Sequence, residues 1–190
     1  RSSDLYLLAG VSSDHESVCV DEALEKLRGG MHIMIREGTG ARNLDILMPL
    51  VRSTMAGQLM WCTDDRHPHD ICGKGHIDMM IRRAVKAGVD PMTAVRIGTL
   101  NPARYFGLGY LGAIAPGRRA DMIVLSDLEN FTVEHVYTGG ILAAEDGEMV
   151  LERTFGNIPL PDSVIKVDTA ALDFRIPAEG RRVRVIELVP

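Results

Sequence analysis

From its start to about residue 107 the chain alternates short β-branched or apolar runs with longer segments whose apolar positions recur every three or four residues. That is the signature of successive strand and helix units. "LLAGVSSDHE" predicts a short strand ending near Asp14, and "CVDEALEKLRGG" predicts a helix with Asp21 as N-cap, Ala23, Leu24 and Leu27 as apolar face and Gly29 as stop. "MHIMIREGTG" reads as a second strand, and "ARNLDILMPLVRSTMAG" as a helix with Leu44, Leu47, Met48 and Val51 on one side. "QLMWCTDD" is a third strand, followed by an amphipathic helix in "GHIDMMIRRAVKAGVD" closed by Gly88 and another in "PMTAVRIGTLNPARYFG" with Pro91 in its first turn. Strand ends near residues 15, 37 and 64 are spaced like (β/α) repeats, in either a closed barrel or an open doubly wound sheet.

After Gly107 the pattern changes to short alternating strands separated by glycine turns, with Gly139-Gly140 and Asp146-Gly147 as tight-turn dipeptides. This stretch reads as a small all-β module. From about residue 155 a linker-like "GNIPLPDSV" leads to "DFRIPAEGRRVRVIELVP", the start of another β-rich unit.

The 190 residues are 46% hydrophobic and 25% charged, with a net charge of -5, the composition of a globular protein with no basic footprint for nucleic acid. Apolar runs reach only about five residues, against the roughly twenty needed to span a bilayer, so the expectation is a cytoplasmic protein with no membrane and no nucleic-acid partner. Cys19, Cys62 and Cys72 fit neither a disulfide framework nor a zinc knuckle, and are expected as small buried apolar filler.

Strand-helix units place polar residues at the strand ends on one rim, where such folds hold their chemistry. Three clusters fall there: Asp14-His15-Glu16, Arg36-Glu37, and Asp64-Asp65-Arg66-His67. Imidazole and carboxylate together are competent ligands for a divalent metal, and a carboxylate beside activated water can relay its proton. Each cluster also has a plainer reading. His15 suits an ordinary polar loop residue, Asp64 and Asp65 suit a helix cap or an Asx-turn before Pro68, and Arg36 with Glu37 suits a rim ion pair. His67 and His69 flank Pro68, off the strand and in the loop, and make a poor metal pair; His69 and Asp70 read as plain surface. His32 is expected to pack internally, His76 to start a helix, and His135 to lie in the β module, remote from the rim.

"SSDHE", "MIREGT", "CTDDRHP", "GHIDMMIRRAVKAGVDPMTAVRIGTLNPARYFGL" and "LGAIAPGRRADMIVL" follow one another as in bacterial adenine deaminases of the amidohydrolase superfamily, and the resemblance covers nearly the whole chain. The last segment is shared across many amidohydrolases, whereas the first three together point to adenine. The resemblance implies an α/β fold: a partial (β/α)8 barrel of the TIM type, its last three strand-helix units over 1–107, then a β-sandwich module over 108–154 and the start of a C-terminal domain over 155–190. It implies hydrolytic deamination, in which a metal-activated hydroxide attacks C6 of adenine and ammonia leaves to give hypoxanthine. By position, His15 and Asp64 are implied metal ligands, Asp64 the proton shuttle and Glu16 a supporting catalytic group, with Arg36, Glu37 and Asp65 beside the substrate. The implied metal is manganese or iron rather than zinc, and the closely spaced cysteines of cytidine-type deaminases are absent.

The family pattern also has an upstream His-x-His, a bridging carboxylate and a further histidine, none of which matches this chain. Residue 1 corresponds to a point just before the sixth barrel strand. The expectation is therefore an incomplete portion of the enzyme, inactive alone, whose open sheet edges drive homo-oligomerisation or association with the missing N-terminal portion. Two other readings stand beside it: an amidohydrolase acting on cyclic amides or N-acyl groups, and an inactive truncated fragment that only self-associates.

Overall fold

A computed structural model describes residues 2–152, 167–175, 177 and 180. Its elements run α1 (Ser2–Leu8), β1 (Ser13–Asp14), α2 (Val20–Arg28), β2 (His32–Arg36), α3 (Leu44–Val51), β3 (Leu59–Cys62), α4 (Pro68–Lys74), α5 (Ile77–Lys86), α6 (Pro91–Gly98) and α7 (Leu100–Tyr105). Four strands follow: β4 (Met122–Leu125), β5 (Val133–Thr138), β6 (Ile141–Glu145) and β7 (Glu148–Met149). Contacts divide the chain into Arg1–Glu152 and Arg153–Pro190. In the second unit Asp168 caps a single 3-10 turn, Thr169–Ala171, by accepting from the Ala170 N–H. Most of the strand-like ending expected after residue 155 lies outside the described residues.

Strands β1, β2 and β3 form a parallel sheet in that order, so each expected strand-helix unit is present and the protein is α/β. Parallel pairing aligns Ile33 with Leu59 and Ile35 with Trp61, and these four side chains enter one core with Ala23 and Leu27 of α2, Leu44, Leu47 and Val51 of α3, Met80, Ile81 and Ala84 of α5, and Ala94 and Ile97 of α6. Strand alternation sends Met34 and Arg36, in register with Met60 and Cys62, to the opposite face. Burying each large aliphatic side chain of this core contributes about 2 kcal/mol, which is what clamps the helices to one side of the sheet.

Several local expectations change. "LLAG" belongs to the end of α1 and the turn after it, leaving β1 only two residues, because Leu5 to Leu8 continue a helical hydrogen-bond pattern into Ala9 and Gly10. Helix α2 starts one residue before Asp21, with Cys19 as its N-cap and no side-chain cap bond; Gly29 is its C-cap as expected. The segment after Pro91 is two helices, with Thr99 turning out of helical geometry between α6 and α7. Cys19 and Cys72 are exposed and Cys62 is half-buried, so the cysteines are not buried filler.

The β module is an antiparallel meander, β4-β5-β6-β7. Gly139 and Gly140 join β5 to β6, and Asp146 and Gly147 join β6 to β7, all four at positive φ. This is the mirror-image turn whose twist matches a hairpin, and it explains why these dipeptides stand there. Among the described residues the module is one sheet layer.

Candidate active site

The starts and ends of the parallel strands are chemically different. At the starts, the Tyr105 hydroxyl of α7 bonds the hydroxyls of Ser12 and Ser13, its ring lies 4.8 Å from His32, and Asn101 donates to the Ala56 and Leu59 carbonyls. His32 therefore packs internally, as expected. All three charged clusters occupy the ends.

The loop leaving β1 is built from beneath. Asp14 accepts at one oxygen from the Ser17 N–H, the Ser17 hydroxyl and Lys26 Nζ, at 3.0, 2.7 and 3.0 Å. Burial alone would raise the Asp14 carboxyl, but the Ser17 and Lys26 bonds more than offset it, and it ionises below the usual aspartate value. Asn43, at the N-cap position of α3, makes no cap bond and instead donates its amide to the Ser17 carbonyl at 2.9 Å and the His15 carbonyl at 3.4 Å. The loop held this way presents His15 and Glu16 to the rim. Nothing local to Asn43 in the sequence signals this role, since its partners lie 26 and 28 residues away.

Arg36 at the end of β2 is the centre of the rim. Its Nη2 donates to Glu16 Oε2 at 2.7 Å, and its Nη1 donates both to Glu16 Oε1 at 2.9 Å and to Asp64 Oδ2 at 3.0 Å. The His15 Nε2 lies 3.3 Å from the same Glu16 Oε1. Three consecutive contacts, none longer than 3.3 Å, thus link the imidazole to the Asp64 carboxylate. The Arg36 side chain is 8% exposed while Glu16 and Asp64 are 64% and 40% exposed, so the carboxylates lie over the guanidinium. Hydrogen bonds from Arg36 to Glu16, with the one to Asp64, hold the guanidinium even more firmly protonated than usual.

Asp64 sits at φ +44°, a left-handed backbone that few non-glycine residues adopt. The turn separates it from Asp65. Asp64 reaches back to Arg36, while the Asp65 carboxylate accepts from the Gly40 N–H at 2.9 Å, the main cause of its lowered ionisation. A Cβ at Gly38 would lie 1.7 Å from Asp65 Oδ1, so a larger residue there displaces that carboxylate. Thr39 completes the bridge, accepting from the His67 N–H and donating to Asp70 at 2.6 Å.

Sequence-predicted residues therefore separate into two groups. His15, Glu16, Arg36 and Asp64 converge. Glu37 and Asp65 do not join them: Glu37 turns to Arg83 of α5, at 2.5 Å, and Asp65 braces the loop after β2. Two expectations are corrected. Asp70 is not plain surface but buried, its carboxyl held far below the usual range by Lys74 and by Thr39. His67 lies in the loop as expected, at the N-cap position of α4, but His69 lies in the first turn of that helix, because Pro68 is a preferred first helical residue. The Asp70 and Lys74 spacing was the available signal. His76 caps the start of α5 and meets Thr63, and His135 pairs with Glu145 in the β module, both as expected.

As a metal site the rim is incomplete. His15 and Asp64 are of the right donor types, yet among the described residues no group of three or more His, Cys, Asp or Glu side chains could hold an ion. Two protein ligands fall short of the three or four that hold a catalytic divalent metal.

Adenine deaminase of Desulfatibacillum aliphaticivorans is 50% identical over 186 residues, covering 97% of this chain and 32% of that protein. Adenine deaminase of Kosmotoga olearia is 43% identical over 190 residues, covering 99% of this chain and 33% of that protein. The chain spans about a third of the length of these curated relatives. Among solved structures, the β-aspartyl dipeptidase of Fervidobacterium islandicum AW-1 superimposes with a TM-score of 0.58 at 21% identity, over 72% of this chain and 39% of that one, a likeness of fold alone. The amidohydrolase family profile matches residues 11–143, from the approach to β1 into β6, so the chain belongs to the amidohydrolase family.

Proposed function

We propose that this chain is the part of an adenine deaminase that carries the proton-transfer carboxylate. The carrying observation is the rim itself: Asp64 has one oxygen bonded to Arg36 and the other without a hydrogen-bond partner among the described residues, on a partly exposed side chain beside His15 and Glu16. The relatives named adenine deaminase support the choice of substrate. In the reaction water adds to C6 of adenine, the C6–N bond breaks, and ammonia leaves with hypoxanthine as product. Asp64 takes a proton from the water and delivers it to the departing amine, and Glu16 stands at the same rim as a supporting group.

Membership of this family implies a divalent metal. His15 and Asp64 are the two ligands this chain would give it, and a nitrogen and oxygen donor set without thiolate favours manganese or iron. The three parallel strand-helix units of 1–107 are read as the last part of a (β/α)8 barrel, 108–154 as part of a β-sandwich, and 155–190 as the opening of a C-terminal domain. Such a piece completes its barrel by association, with its own copies or with the preceding portion of the enzyme, in the cytoplasm.

The test is ammonia release from adenine by the full-length protein with added manganese, beside hydrolysis of cyclic amides and N-acyl substrates. Adenine is expected to be the substrate turned over, and D64N to fold normally with most turnover gone. Preference for an amide, or nearly unchanged turnover in D64N, overturns the reading.

A further inference from the structure

We infer that Arg36 is a positioning residue, a buried strut that aims Asp64, and not a group that contacts the substrate. The inference rests on the reading of Asp64 as the proton carrier and adds how that carboxylate is held. Its basis is the inequality between the two carboxylates. Glu16 is gripped at both oxygens by the two terminal nitrogens of Arg36, the parallel fork that guanidinium and carboxylate form best. That fork fixes the guanidinium, and its Nη1 has a second acceptor, Asp64 Oδ2, at 3.0 Å. One oxygen of Asp64 is thereby held by Arg36, and the other, without a hydrogen-bond partner among the described residues, is the one that faces the reaction.

Access points the same way. Arg36 is buried beneath two more exposed carboxylates, so a ligand arriving at the rim meets Glu16 and Asp64 first. The strut also answers the strain at Asp64, because a residue in left-handed backbone geometry needs its surroundings to over-determine it. A lysine could neutralise the carboxylates, but a single ammonium point cannot reproduce the two-nitrogen fork to Glu16 that leaves Nη1 aimed at Asp64.

Two measurements decide it. In the 15N-labelled chain, Arg36, assigned by the signal that R36K removes, should show separate Nη resonances from hindered rotation, collapsing in E16Q and shifted in D64N. One averaged Nη signal, like that of a free arginine, overturns the inference whatever the reaction proves to be. In the full-length protein, R36M should lower kcat by about a hundredfold while KM stays within about threefold, and R36K should recover only part of the loss. A raised KM at unchanged kcat makes Arg36 a substrate contact and refutes the strut. If the full-length protein releases no ammonia from adenine, the proposed function fails, while the resonance measurement still decides the role of Arg36.

Discussion

Glu37 supplies the sharpest test of how the end of β2 is held. Its side chain is 7% exposed, Oε1 takes a 2.5 Å bond from Arg83, and Oε2 is buried with no partner among the described residues. Arg83 also donates to Asp45 at 2.6 Å, but Asp45 is 80% exposed. Replacing Arg83 with methionine leaves the buried carboxylate uncompensated, a loss that costs about 3–5 kcal/mol in fully buried pairs. Arg83 is 34% exposed, and water screening at that end reduces the expected loss to about 2–3 kcal/mol. D45A removes an exposed partner and should cost about 0–1 kcal/mol. The double variant E37M/R83M, which removes the charge with its partner, should be more stable than R83M alone. Urea unfolding can be followed by the one tryptophan in the sequence, Trp61, which is 6% exposed in the core shared by α5 and α6. The midpoint should move without a change in slope. If R83M is no less stable than D45A, or the double variant is worse than R83M, Glu37 is not held as an ion pair and this account of the strand end is wrong.

Other expectations follow from the same structure. G38A should lower the melting temperature by expelling Asp65 from the Gly40 N–H, and G38A/D65A should fall by less than the two single variants summed. W61F deletes the 2.9 Å bond from the indole N–H to the Ala94 carbonyl and should cost about 1 kcal/mol, read by circular dichroism. The Asp14 carboxyl ionises below its ordinary 3.8 in the folded chain, so its stabilisation is complete above that value and lost as pH falls through the folded one. D14N should therefore flatten the acid limb of the stability curve below about pH 4, and an unchanged limb would remove Asp14 from the cause.

Local patterns in the sequence were enough to find β2, β3, most of the helices packed on them and the hairpin turns, because these depend on period two, period 3.6 and glycine's tolerance of positive φ, whereas the apolar run expected as the first strand went mostly into α1 and its turn. The same patterns also located the rim, since strand ends in such units share one side. Fine boundaries were less legible. Cys19, which makes no side-chain cap bond, takes the N-cap position of α2 in place of Asp21, and Pro68 opens a helix where a loop was expected, its fixed φ suiting the first helical position.

What the tertiary structure alone decided is which charge meets which. Neighbouring residues separate completely: Arg36 faces Glu16 and Asp64 while Glu37 faces α5, and Asp64 turns to the rim while Asp65 turns to the glycine loop. Partners 20, 28 and 46 residues apart cannot be inferred from local spacing. An ion pair forms where strand register and the direction of one left-handed turn bring two side chains within hydrogen-bond distance, and those are properties of the assembled sheet.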